Sequence, residues 1–194
     1  MIIVFARAPV LGRAKTRLVP RLGEWRAARL HRWMIARAVR IAQQCAPVEV
    51  HGTSRHSFFR GFEFKLQRGR DLGERMQHAL AHSARPALLI GSDCPALTVQ
   101  DLRRALRLLR GGCDVVLAPA EDGGYALIGV RRLPARVFSG IDWGSSRVYE
   151  QTVEKLSGYR WRALRTVWDV DRPEDIERLR SLRFASGFRR AVPR

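Results

Sequence analysis

The chain has 194 residues, of which 46% are hydrophobic, and its 36 basic and 18 acidic residues give a formal net charge of +18. This length suits one domain with a sizeable core, and this hydrophobic content argues against a largely disordered chain. No apolar run approaches the roughly 18 residues that a membrane-spanning helix needs, and three widely spaced cysteines argue against a disulfide framework or a zinc site.

The first third of the chain predicts strands that alternate with a helix. Residues 2–5 are apolar directly from the N-terminus, which predicts a first strand instead of a signal peptide, and therefore a cytoplasmic location. Apolar residues at helical spacing predict a helix over 24–44. Further strands are predicted at 48–50 and, from apolar–polar alternation, at 62–67.

The middle of the chain continues this alternation. A helix is predicted to begin at Asp71, which has capping-box spacing to Glu74. Residues 87–90 are all apolar, which is typical of a strand that is covered on both faces. A second capped helix is predicted after Thr98, and the following strands are predicted at 114–118 and 125–130.

The last third predicts a helix over 145–157, a strand over 161–168 and a helix that begins at Pro173. Residues 1–182 are expected to form a single domain, and 183–194 a basic C-terminal tail. The alternation of strands and helices predicts an α/β fold: a three-layer α/β/α sandwich with a mostly parallel, Rossmann-like sheet.

Ligands of such sheets bind beyond the carboxyl ends of the strands, so the residues that follow each strand are the informative ones. After the first strand, Arg7, Gly12, Lys15 and Arg17 have the pattern R-x-P-x-x-G-x-x-K-T-R. This is not a Walker motif, because Ala14 precedes the lysine. Arginine and lysine suit phosphoryl oxygens, which favours a diphosphate-binding loop over a plain basic surface loop.

Carboxylates follow two later elements. Asp93 ends the stretch LLIGSDCPAL, where it can bind a divalent metal or serve as a turn residue. Asp169 and Asp171 point the same way if the backbone is extended, so either can add a second carboxylate, although Asp171 can instead cap a helix. Cys94 is expected to be a packing residue, since no histidine lies near it in sequence.

The turn Asp122-Gly123-Gly124-Tyr125 follows the strand at 114–118. Asp-Gly is a strong hairpin signal, and two glycines also allow the backbone to approach a ligand closely. Both interpretations can hold together.

Taken in order, five stretches resemble a bacterial family: FARAPVLGRAKTRL, QRGRDLGERM, LLIGSDCPAL, APAEDGGYALIGV and WDVDRPEDIERL. They resemble the radical-SAM/selenodomain-associated transferase 1 family of the GT-A-type nucleotide-diphospho-sugar transferase superfamily. The resemblance covers residues 1–182. It implies a relation to 2-phospho-lactate guanylyltransferase and, more distantly, to the molybdenum-cofactor guanylyltransferases.

The resemblance also implies roles for individual residues. Lys15 and Asp93 would be catalytic. The nucleotide and its phosphates would be bound by Arg7, Gly12, Lys15, Arg17, Gln67, Asp71 and Gly73. The acceptor would lie near Asp122, Gly123, Gly124 and Tyr125. Mg²⁺ or Mn²⁺ would be bound by Asp93 together with Asp169 or Asp171.

We therefore expect a metal-dependent transferase with a nucleotide-activated substrate, such as a nucleotide sugar, and a small acceptor. Sugar transferases of this superfamily often carry D-x-D, whereas this chain has Ser92-Asp93-Cys94 with one carboxylate, so guanylyltransferase-like transfer to a phosphorylated acceptor is the alternative. The charge of +18 raises a second alternative, a nucleic-acid-binding protein. No recognisable nucleic-acid module is present, so nucleic acid is not the expected partner.

Overall fold

A computed structural model describes residues 1–182, and the predicted tail at 183–194 lies outside the described residues. The strands are β1 Ile2–Ala6, β2 Val48–Gly52, β3 Phe64–Leu66, β4 Ala87–Gly91, β5 Val115–Pro119, β6 Tyr125–Val130 and β7 Trp161–Ala163. The helices are α1 Val19–Gln43, α2 Leu72–Ala81, α3 Val99–Arg110, α4 Val148–Glu154 and α5 Asp175–Ser181. Two short 3₁₀ turns cover Thr16–Leu18 and Ser57–Gly61.

One seven-stranded sheet has the order β3-β2-β1-β4-β6-β5-β7. Its pairs are parallel except those of β6, which runs antiparallel to both β4 and β5. A five-residue turn at 120–124 joins β5 to β6. Such a short connection can join only antiparallel strands, which explains the reversed direction of β6. The predicted α/β class with a mostly parallel sheet is confirmed.

The helices divide between the two faces of the sheet. One apolar core combines α1, α3 and α5 with side chains from one face, and a second core combines α2 and α4 with side chains from the other. The strands β1 and β4 are buried along nearly their whole length because both of their faces are covered. No helix in the described part of the chain is long and apolar enough to cross a membrane.

The helix starts agree with the local sequence signals. Asp71 accepts a hydrogen bond of 2.8 Å from the Glu74 amide, and Thr98 forms a complete capping box with Asp101. The helix α1 begins five residues earlier than predicted, but Gly23 has φ 73° and ψ 161°, so the regular helix starts at residue 24. Only glycine adopts such a backbone without strain.

The C-terminal elements are shorter than predicted. The helix predicted over 145–157 is limited to Val148–Glu154, and the strand predicted over 161–168 is limited to Trp161–Ala163. Beyond this strand the chain makes single contacts along β5, through the Leu164 amide to Leu117 and the Val167 amide to Pro119. This path takes the chain across the carboxyl end of the sheet, where it reaches Asp169.

Candidate functional site

A cleft with two lobes lies at the carboxyl end of the parallel strands. The first lobe has a volume of about 350 Å³, and its lining includes Phe5, Ala6, Arg7, His31, Thr53, Gln67 and Arg75. The second lobe has a volume of about 650 Å³, and its lining includes Arg17, Cys94, Asp122, Tyr125, Trp143, Trp168, Asp169 and Asp171. Asp93 lines both lobes. Each volume is typical of a small-molecule site, about 300–1,000 Å³.

Lys15 is held in a left-handed backbone conformation, with φ 52° and ψ 46°. For a residue other than glycine this conformation costs about 1–2 kcal/mol. Such strain is often found at functional sites. The side chain is only 7% exposed, and its ammonium lies 3.2 Å from Asp93 Oδ2 and 3.8 Å from Asp171 Oδ1. The loop after β1 is thereby connected to the turn after β4 and to the segment before α5.

Arg17 extends this connection, because its guanidinium is hydrogen-bonded to Asp171 Oδ2. The Asp171 carboxylate therefore contacts two cations of the same loop. Its backbone amide also donates to Asp175 Oδ2, at the first turn of α5, over 2.9 Å. Asp171 thus fixes the loop of Lys15 and Arg17 against the C-terminal helix.

Asp93 has two opposing influences on its charge. Partial removal from water favours the neutral acid, but the Lys15 ammonium more than offsets this, so the pKa of Asp93 lies below its ordinary value. The side chain remains 45% exposed to the cleft. The main-chain oxygen of Asp93 accepts a hydrogen bond of 2.9 Å from the Val170 amide, which places Asp169 and Asp171 beside it.

Asp169 has the opposite shift. Burial, together with the negative charges of Asp93 and Asp122, raises the pKa of Asp169 to about 6. Val170, the residue between Asp169 and Asp171, is fully buried, and both carboxylates line the second lobe. Both residues therefore border the same lobe, and the extended conformation expected of this segment stays a prediction.

The fit of these carboxylates to a divalent cation depends on how many ligands the chain supplies. Within residues 1–182 no three carboxylate, imidazole or thiol groups are arranged so that they could hold a metal ion by themselves. Mg²⁺, however, is usually bound by one or two carboxylates together with substrate phosphates and water. Asp93 and Asp169 repel each other and supply the hard oxygen ligands that Mg²⁺ and Mn²⁺ prefer. The residues therefore fit a metal that arrives with a phosphorylated ligand.

Cys94 takes no part in this chemistry. Its thiol is 6% exposed and donates to the Trp168 carbonyl over 3.0 Å. Burial raises the pKa of Cys94 to about 12, so the thiolate is not populated at neutral pH. The structure therefore agrees with the expectation that Cys94 is a packing residue.

The first lobe contains a buried histidine that the sequence did not single out. His31 lies on the inward face of α1 and is 4% exposed. Its Nε2 donates to the Arg7 carbonyl over 3.1 Å, while its Nδ1 has no hydrogen-bond partner among the described residues. A histidine within the apolar stripe of a helix is the signal that could have identified it.

Gln67 lines the first lobe together with His31. Its side-chain Nε2 donates a hydrogen bond of 2.8 Å to the His51 carbonyl, so the side-chain Oε1 is available to a ligand. Thr53 also lines this lobe and accepts a hydrogen bond from the Ala8 amide over 3.2 Å. These groups add polar contacts to a lobe whose lining also includes the apolar Phe5.

The turn at 122–125 bounds the second lobe. The Gly124 amide donates to Asp122 Oδ1 over 2.9 Å, which closes the hairpin turn. Gly123 has φ 88°, and a Cβ there would overlap the carbonyl of Ser146, at the start of α4. Gly123 is therefore required by packing, whereas Asp122, Gly124 and Tyr125 line the lobe. The Tyr125 pKa is raised well above its ordinary value by burial.

Two further predicted site residues have structural contacts at the start of α2. Asp71 is the N-cap of this helix. Gly73 lies against Trp143, since a Cβ there would be 2.8 Å from the indole Nε1. This close approach places Trp143 in the lining of the second lobe. No pattern in the sequence predicted that position. A role for Asp71 and Gly73 in nucleotide binding stays a prediction.

Comparison with known proteins identifies the family of this chain. The family described as "Uncharacterized protein conserved in bacteria (DUF2064)" matches residues 27–145, more than half of the chain. No curated protein matches the sequence. A crystal structure from Desulfovibrio desulfuricans G20, whose name assigns it provisionally to the nucleotide-diphospho-sugar transferases, is 33% identical over 97% of this chain and 89% of its own, with a TM-score of 0.87.

Two more distant structures share the fold. CMP:2-keto-3-deoxy-manno-octonic acid synthetase, in complex with CTP, is 15% identical over 93% of this chain and 96% of its own, with a TM-score of 0.59. Rv0371C from Mycobacterium tuberculosis H37Rv, in complex with manganese, is 18% identical over 93% of this chain and 99% of its own, with a TM-score of 0.51.

The superfamily predicted from the five sequence stretches agrees with these matches, whereas the narrower radical-SAM-associated family and the relation to guanylyltransferases stay predictions. The chain belongs to the DUF2064 family and has the fold of the nucleotide-diphospho-sugar transferases.

Proposed function

We propose that this protein is a metal-dependent transferase that acts on the pyrophosphate of a nucleotide substrate. One observation carries the proposal: the ammonium of a strained Lys15 lies between the carboxylates of Asp93 and Asp171 at the ends of the strands. A buried cation next to acidic groups suits a ligand that carries both phosphate oxygens and a divalent metal. The fold shared with the Desulfovibrio protein supports the same class of substrate.

We assign the metal to Asp93 and Asp169. Asp171 is engaged by Lys15 and Arg17, so its role is to position these two cations. Asp169 is crowded by Asp93 and is the better second ligand, because a cation would relieve the repulsion that raises its pKa. A bound Mg²⁺ or Mn²⁺ would supply Lewis-acid stabilisation of the phosphate oxygens. The manganese complex of Rv0371C supports a divalent cation in a protein of this fold.

The side chains around the cleft would then bind different parts of the substrates. Lys15 and Arg17 complement the negative charge of the pyrophosphate, which grows as the leaving group departs. The first lobe, with Arg7, His31 and Gln67, would hold the nucleoside. The second lobe, on the side of Asp122 to Tyr125, would hold the acceptor. The CTP complex of the octonic acid synthetase supports a nucleotide in this fold.

Two reactions fit this arrangement. In glycosyl transfer, the acceptor forms a bond to the sugar carbon and a nucleoside diphosphate leaves. In nucleotidyl transfer, an acceptor phosphate oxygen forms a bond to the α-phosphorus of a nucleoside triphosphate and pyrophosphate leaves. Asp93 is the single carboxylate of the turn after β4, and Gly91 and Pro95 stand two residues before and after it, so no D-x-D pair is present there. This observation supports nucleotidyl transfer as the second candidate beside nucleotide-sugar chemistry.

The test is a matrix of nucleotide sugars and nucleoside triphosphates, each with Mg²⁺, Mn²⁺ or EDTA, read by thermal shift and then by product analysis. We expect metal-dependent stabilisation by one substrate group, followed by release of either a nucleoside diphosphate or pyrophosphate. The K15A variant should bind the same nucleotide at least about tenfold more weakly, since a charge-assisted phosphate contact contributes roughly 1.5–3 kcal/mol. Lys155→Ala, at an exposed lysine after α4, is the matched control. Equal affinity of both variants would remove Lys15 from the site.

A further inference from the structure

The outer side of α3 forms an arginine-lined groove that has no part in the cleft. The groove has a volume of about 880 Å³, and its lining is Gln44, Cys45, Thr98, Gln100, Asp101, Arg103, Arg104, Leu106, Arg107, Arg110 and Arg165. None of these residues lines either lobe of the cleft. The inward residues of α3 are the apolar ones, so its arginines face solvent.

The positive charge of this groove is not balanced by local acids. Asp101 is the acidic residue of the lining, and its carboxylate already accepts hydrogen bonds from Arg165 over 2.8 Å and from Thr98 over 2.7 Å. Among residues 1–182, no carboxylate lies within ion-pair distance of Arg104, Arg107 or Arg110. An anionic ligand would therefore neutralise guanidinium charges that have no carboxylate partner among the described residues.

The same face of the sheet carries more arginine. The helix α1 packs in the same core as α3, and its exposed residues include Arg29, Arg32 and Arg40 at helical spacing. These side chains extend the positive surface beyond the groove. Long-range attraction of a polyanion to such a surface accelerates association and depends strongly on salt.

The spacing and chemistry of the groove distinguish between polyanions. With a rise of 1.5 Å per residue, the arginines from Arg103 to Arg110 extend over about 10 Å, which matches a short run of phosphates along one strand. Among residues 1–182, no aromatic side chain lines the groove, so the described chain offers no stacking surface to the bases of a single strand. The lining also has no exposed apolar side chain to insert into a membrane.

We propose that this groove binds the phosphate backbone of duplex nucleic acid without reading its bases. Arginine forks match phosphate oxygens, and a duplex presents its phosphates while its bases remain stacked inside. The inference is independent of the proposed transferase reaction, because the two sites share no residue. It also gives a physical role to part of the +18 net charge, which the strand-end site does not use.

The test measures fluorescence anisotropy of a labelled 24-base-pair duplex with the full chain at 50–200 mM salt. Four phosphate contacts predict a slope of log K against log salt of about −3.6, which corresponds to a loss of about 150-fold over this range. The triple variant R104E/R107E/R110E should bind at least tenfold more weakly at 50 mM salt, with a slope of about −1. R104Q/R107Q/R110Q, which removes the three charges without reversing them, should weaken binding in the same direction.

The control reverses the same number of charges at exposed arginines elsewhere, in R55E/R60E/R136E. Duplex binding by this control should remain within about threefold of the unmodified protein. Equal losses in both triple variants would mean that net charge alone causes binding and would overturn the proposal. Absence of binding at 50 mM salt would also overturn it, as would a groove variant that loses affinity for vesicles of anionic lipid but not for the duplex.

Two further measurements separate this groove from the cleft. The groove variants should keep the metal-dependent thermal shift with nucleotide, because none of their residues lines the cleft. Saturating nucleotide with Mg²⁺ should displace no more duplex than the same concentration of Mg²⁺ alone, because Mg²⁺ itself competes for the phosphates. Displacement beyond that reference would place the duplex at the cleft and would overturn the groove assignment, whereas failure of the transferase test would leave the duplex measurement unaffected.

Discussion

Replacing Asp93 with asparagine removes one carboxylate from the centre of the cleft while its shape is kept. The unfolding free energy should change little. Asp93 is 45% exposed, so its ion pair with Lys15 at 3.2 Å contributes about 0–1 kcal/mol. Lys15 keeps Asp171 at 3.8 Å, and the repulsion between Asp93 and Asp169 disappears, which offsets part of the loss. For a chain of this size we expect the Tm to change by at most about 4 °C.

Ligand binding should respond much more strongly. A nucleotide present at about 100 times its Kd stabilises the folded state by about 2.7 kcal/mol. That free energy corresponds to a Tm increase of about 5–11 °C for the unmodified protein. In the D93N variant the increase should fall below about 2 °C with Mg²⁺ or Mn²⁺, and calorimetric titration should show the same loss of affinity.

The matched control is Asp142→Asn, at an exposed aspartate outside the cleft. It should keep both the Tm and the metal-dependent shift. Metal binding by Asp93 is refuted if D93N keeps the full shift with metal and loses it only in EDTA, as the control does. In that case Asp93 is a turn residue and the metal lies elsewhere.

Three further outcomes follow from the structure. The Cys94 thiol, with a pKa of about 12, should resist iodoacetamide at pH 8 in the native protein and react only after unfolding, which mass spectrometry can follow. Gly123→Ala should lower the unfolding free energy, measured in urea, by at least about 2 kcal/mol, because the added Cβ would overlap the Ser146 carbonyl. The control is Gly140→Ala, at a glycine with φ 67° and open space around it, which should cost only about 1 kcal/mol. Burial lowers the pKa of His31, so the unfolded chain binds its proton first, and the unfolding free energy should fall as pH drops below about 6.5. His31→Gln should weaken that pH dependence, and an unchanged dependence would contradict the assignment.

The distribution of arginine answers the question raised by the net charge of +18. A nucleic-acid-binding module without an enzyme site would leave the strand ends bare. Here Arg7 and Arg17 line the cleft and Lys15 contacts Asp93 beside it, while the arginines of α3 line a separate groove. The cations at the cleft and the arginines of the groove are therefore compatible with two separate sites, which different variants can test.

Local signals in the sequence were sufficient for most secondary structure. The helix starts at Asp71 and Thr98 follow from side chains that bond to amides three residues away, and such contacts are formed within one turn. The buried strands β1 and β4 follow from continuous apolar runs. Because parallel strands end at one edge, the sequence also directed attention to the residues that follow them, and Asp93 is one that borders the cleft.

The tertiary structure alone decided the contacts between distant segments. Lys15 contacts Asp93, which is 78 residues later in the chain, and Asp171, which is later still. No pattern in the sequence specifies these contacts. The difference between Asp169, whose pKa is raised, and Asp171, which is paired, depends on burial and on charges from other elements. Electrostatic effects depend on distance and solvent exposure, and these exist only once the chain has folded.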